Sequence, residues 1–114
     1  MEIKNDDYQV SYDQTQATIT CAGSLRLQGG EYAPINELLN QVADAKPAKI
    51  TLDARNLRFL NSSGINTLSK FVIRVRKLAA SDMLVIGNSA HAWQGKSLKN
   101  LQRLKKDLVL QMEA

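Results

Sequence analysis

Between Ile50 and Ile65 the spacing of apolar residues changes, and a change of period marks a change of element. Ile50 and Leu52 alternate with polar neighbours, as on a half-buried strand running roughly from Lys49 to Asp53. From Ile65 onward the apolar positions recur every three or four residues, through Leu68, Val72, Val75 and Ala79, as on the inner face of a helix. The residues between them, with Leu57, Phe59 and Leu60 as cover, are expected to form a short turn. Asn61-Ser62-Ser63-Gly64 then falls at the start of the helix.

That position has a chemistry of its own. The first N–H groups of a helix have no partner within it and the helix dipole is positive there, so an anion is held rather than repelled. Asn and Ser are also ordinary capping residues, and Gly permits a tight entry, so local physics alone fits a plain helix cap equally well.

The remaining chain supplies a sheet for this helix to cross. Tyr8, Val10 and Tyr12 alternate with polar residues and, after Asp13-Gln14-Thr15-Gln16, so do Ala17, Ile19 and Cys21, which predicts a hairpin. Ile35, Leu38, Leu39 and Val42 form a first helical stripe, with Pro34 in its first turn and Pro47 beyond its end. Met83 to Gly87 is a continuous apolar run, as expected of a parallel strand covered on both faces. Trp93, Leu98, Leu101 and Leu104 mark a third helix, and Leu108-Val109-Leu110 a last strand. A hairpin followed by alternating helix and strand predicts an α/β fold with a mainly parallel sheet and right-handed crossovers.

On the Asn61-Ser62-Ser63-Gly64-Ile65 motif and this order of elements, the chain resembles the STAS domains, in particular the single-domain anti-sigma factor antagonists. Their hallmark is Asp-Ser-(Ser/Thr/Gly)-Gly-(Leu/Ile) after a buried strand. The resemblance implies a single STAS domain over residues 1–114, with an N-terminal hairpin and helices packed on the sheet. It further implies a non-enzymatic regulator that binds a partner and is switched by phosphorylation at Ser62, with Ser63 in reserve. The modifying partner would be a GHKL-type serine kinase that doubles as anti-sigma factor, and a PP2C-type phosphatase would reset the switch. Two residues depart from the pattern: Asn61 stands where the family has Asp, and Arg26, in Gly23-Ser24-Leu25-Arg26, stands where an acidic residue is usual.

Composition narrows the alternatives. A chain of 114 residues with 44% hydrophobic and 23% charged residues suits one globular domain. No apolar run is long enough for a membrane span and the first residues lack a signal peptide's apolar core, so a cytoplasmic protein is expected. The lone Cys21 reads as a packed thiol, and the lone His91 has no partners for a metal site. No phosphate-binding glycine loop follows a strand, so no nucleotide cofactor is expected.

Net charge is +4, and Lys70, Arg74, Arg76, Lys77, Lys96, Lys99, Arg103, Lys105 and Lys106 crowd the second and third helical regions. Lys70, Arg74 and Lys77 share a helix face, which by default is a solvated one and, as a docking face, is expected to extend a partner-binding surface centred on Asn61, Ser62, Ser63 and Gly64. Aromatics make up 5% of the chain and do not interleave with the cations, so protein docking is favoured over nucleic acid. A small-ligand-sensing STAS domain is the other reading, with a small basic nucleic-acid-binding protein ranked below it.

Overall fold

The computed structural model describes residues 1–114. Six strands and three helices follow one another as β1 (Glu2–Lys4), β2 (Tyr8–Asp13), β3 (Thr18–Leu25), α1 (Ala33–Asp44), β4 (Lys49–Leu60), α2 (Ser62–Leu78), β5 (Asp82–Asn88), α3 (Gln94–Leu104) and β6 (Val109–Glu113), with a 3-10 turn at Gly29–Tyr32. The strands lie in the sheet in chain order. The first three pair antiparallel and the rest parallel, as the hairpin and the alternation predict. Only β1 goes unforeseen, since three residues are too few to show a period.

The helices pack side by side on one face of the sheet, α2 between α1 and α3. Val10, Ile19 and Cys21, with Ile50, Leu52, Met83 and Val85, point into them and join the helical stripes in a single core. The expectation that β5 is covered on both faces is corrected: Met83 and Val85 are buried while Leu84 and Ile86 stay half-exposed on the open face. In α2 the core stripe includes Phe71, and Ala79 leaves it, because Ala79 turns left-handed (φ 53°) to cap the helix. Cys21 is buried as expected, and burial, with Asp53 nearby, pushes its thiol up to about 12, so it stays protonated. No helix is long and apolar enough to cross a membrane.

The expected turn after Asp53 is also corrected. β4 runs unbroken to Leu60 against β3, with register shifts opposite Cys21 and between Gly23 and Ser24. Each shift inserts a residue into β4, so the buried positions pass from every second residue (Ile50, Leu52, Ala54) to every third (Ala54, Leu57, Leu60). A strand with that pattern imitates a turn in sequence.

Candidate functional site

β5 pairs with β4 only from Lys49 to Asp53, so the outer part of β4 has no strand on that side. Its carbonyls still need donors, and side chains entering α3 provide them. The wholly buried Gln94 donates from Nε2 to Ala54 O (2.7 Å) and Leu57 O (3.0 Å), while its Oε1 accepts from Asn88 N (2.6 Å). Trp93 Nε1 also donates to Leu57 O (3.0 Å), and His91 Nε2 lies 3.0 Å from Arg55 O. His91 thus serves the backbone. At the first shift Asp53 takes the Arg55 N–H (3.1 Å) and its guanidinium (3.0 and 2.8 Å), and these bonds hold the carboxyl below its ordinary 3.8.

At the end of β4, Asn61 caps α2 with extended backbone, and its Oδ1 accepts from Gly64 N (2.9 Å). The same oxygen accepts from the Tyr32 hydroxyl (2.7 Å), and Nδ2 donates to Leu27 O (2.7 Å). Burial raises the Tyr32 hydroxyl above its ordinary 10.0, which keeps it a donor. Asn is the residue this site asks for, since a carboxylate could accept both bonds but could not donate to Leu27. Gly64 is required by space: a Cβ there would stand 2.2 Å from Leu60 Cδ1 and 2.6 Å from Tyr32 Oη.

The cap therefore turns Asn61 and Gly64 inward and leaves the serines at the surface. Ser62 is exposed in the first turn of α2 and Ser63 half-buried beside it, and neither hydroxyl is hydrogen-bonded within the chain. Of the basic residues expected nearby, Lys70 and Lys77 are exposed and unpaired. Arg74 instead forks onto Asp44 of α1 (both bonds 2.8 Å), holding two helices together. Sequence reasoning missed Tyr32, Trp93 and Gln94 as the supports of this end, although a glutamine at a helix start amid apolar neighbours was a usable signal.

The hairpin leading into a parallel sheet, with three helices on one face and a capped serine pair after the central strand, is the STAS fold. SiaC of Pseudomonas aeruginosa has it, in the crystal structure of diguanylate cyclase SiaD in complex with its activator SiaC (TM-score 0.74, 10% identity, 99% of each chain covered). Apo-SiaC matches with TM-score 0.73 at 10% identity, over 100% of this chain and 98% of that one. An anti-sigma factor antagonist from Mycobacterium paratuberculosis matches with TM-score 0.62 at 16% identity, over 97% of this chain and 82% of that one. At such identities the likeness is one of fold. No family model matches the sequence, and no curated protein matches it.

Proposed function

We propose that this chain is a non-enzymatic regulatory protein that binds a protein partner through the end of the sheet carrying Ser62, and that phosphorylation of Ser62 releases the partner. The observation that carries the reading is the exposed, unbonded Ser62 hydroxyl on a helix start whose backbone is fixed by Asn61, Tyr32 and Leu27. A phosphate there adds about −1.5 to −2 charge and three acceptor oxygens at unpaired N–H groups, so the surface charge changes without a backbone rearrangement. On the family resemblance the modifying enzyme is another protein, a GHKL-type kinase, with a PP2C-type phosphatase opposing it. Ser63 is the reserve acceptor, with Lys70 and Lys77 at the rim of the contact.

The fold's occurrence in an anti-sigma factor antagonist and in an activator bound to a diguanylate cyclase supports partner binding and leaves two partner classes, a kinase or an enzyme that is activated. Affinity capture from the host with wild type, Ser62→Ala and Ser62→Asp, together with phosphopeptide mapping, tests the proposal. Phosphate is expected on Ser62, and the partner held by wild type is expected to be lost from Ser62→Asp, whose fold gains about 0.3–1 kcal/mol from a carboxylate at the helix start. Phosphate mapped elsewhere, or a partner held equally by Ser62→Asp, would refute the switch.

A further inference from the structure

From Ala54 to Ser81 the chain carries Arg55, Arg58, Lys70, Arg74, Arg76 and Lys77 and no Asp or Glu. Several of these cations are already engaged: Arg55 with Asp53 and Glu113, Arg74 with Asp44, and Arg76 with Leu104 O. Arg58 is not, and neither is Arg26 at the adjoining end of β3; both are exposed with no ion pair or hydrogen bond. Because the second register shift makes β4 bury every third residue, Arg58 and Phe59 both face outward. Phe59 is 37% exposed, and the Arg26 guanidinium lies over its ring, 4.6 Å from the centroid. With the ring beneath it and no hydrogen bond or ion pair on its N–H groups, the Arg26 guanidinium keeps those donors free to grip a carboxylate.

We infer that the strip formed by Arg26, Arg58 and Phe59 docks an acidic protein segment bearing an apolar side chain, the guanidiniums taking its carboxylates and Phe59 its apolar group. Arginine beside an aromatic is the composition that concentrates binding energy in interfaces. The backbone under the strip is held on one side by β3 and on the other by Gln94 and Trp93, so little order is lost on binding. Lys70 and Lys77 carry charge alone, on long flexible stems, with no exposed aromatic on their face. Asp6 and Asp7 share a recess with Arg26 and Arg58 but form no ion pair with them, and they bound the strip for an acidic ligand on the hairpin side.

The inference rests on the partner-binding reading above and supplies its missing force. Ser62 follows Phe59 by three residues, so a phosphate on it would set negative charge beside the acidic segment and expel it.

The test is a two-dimensional NMR titration of isotope-labelled protein with a synthetic peptide of alternating glutamate and leucine, at low and moderate salt. Saturable shifts are expected at Arg26, Arg58 and Phe59. Arg58→Glu and Phe59→Ala should each weaken binding about tenfold, and Lys70→Glu by no more than about twofold. Shifts spread over the lysines of α2 and α3, equal losses from Lys70→Glu and Arg58→Glu, or no saturable binding would overturn the strip. Should Phe59→Ala disturb folding, Arg58→Glu, at an exposed and unbonded side chain, decides alone. Ser62→Asp separates the two proposals: if it binds the peptide as wild type does while wild type meets the expectations, the strip stands and the switch falls. Phosphate mapped to Ser62 in a protein whose strip ignores the peptide gives the converse.

Discussion

Lys49–Asp53 and Ala54–Leu60 belong to one strand, yet they are held in different ways. The inner half is clamped between β3 and β5, buries Ile50 and Leu52 completely, and keeps a period of two. The outer half has β3 on one side and individual side chains on the other, buries every third residue, and shows the intervening pairs Arg55-Asn56 and Arg58-Phe59 to solvent. A ladder strand would have filled that side and covered the end of the sheet. Replacing it with Gln94, Trp93 and His91 satisfies the same carbonyls and leaves a rigid strip beside Ser62 exposed.

The largest effect should come from removing the glutamine that makes the outer half possible. Gln94→Leu keeps the volume but strips Ala54 O and Asn88 N of their partner, while Leu57 O keeps Trp93. Leaving the buried Ala54 O and the partly buried Asn88 N unpaired at about 1–3 kcal/mol each implies a loss of about 2–6 kcal/mol in urea unfolding. Amide exchange should speed up in Ala54–Leu60 before it does in Lys49–Asp53. Equal acceleration of both halves would mean that the strand is one cooperative unit and that the contrast is only geometric.

Asn61 sharpens the comparison where β4 meets α2. Asn61→Ala removes the cap, the Tyr32 bond and the Leu27 bond together, a loss of about 2 kcal/mol. Asn61→Asp sets two effects against each other. A carboxylate at a helix start is favourable by about 0.3–1 kcal/mol, whereas leaving Leu27 O without a donor, facing an anion, costs about 1–3 kcal/mol. The second wins, so Asn61→Asp should lower stability by about 1 kcal/mol near neutral pH. Thermal melts of the two variants give the order; a stabilised Asn61→Asp would show that Leu27 O finds water instead.

These supports explain what could be read beforehand. The hairpin, the three helices and the parallel order were legible because each rests on local periodicity, and the cap because Asn-Ser-Ser-Gly is a local signal. β4 beyond Asp53 was misread because two outward residues between inward ones look like a turn. The Tyr32–Asn61 bond spans 29 residues and the Gln94 bonds 37 and 40, and a hydrogen bond between distant polar side chains and backbone leaves no period in the sequence. β5 misled in the opposite direction, since Leu84 and Ile86 are apolar residues on an open face.

The smallest effect concerns the joint between the halves. Asp53 is the last residue of β4 paired with β5, and its carboxylate brackets the first register shift by holding the Arg55 N–H and guanidinium. Those bonds keep its folded pKa below the ordinary 3.8, so the unfolded chain binds the proton more readily than the folded one. The stabilisation is therefore complete above the ordinary value and drains away as the pH falls through the lowered folded pKa. Asp44, lowered chiefly by its bond from Arg74, has the same sign, so the wild-type melting temperature should decline in acid from both. Asp53→Asn removes one contribution: its melting temperature should sit slightly below wild type at neutral pH, and the two curves should draw together as the pH falls below the ordinary 3.8. Curves that stay parallel in acid would mean that Asp53 acts through packing alone and that the joint is held by the backbone of β3.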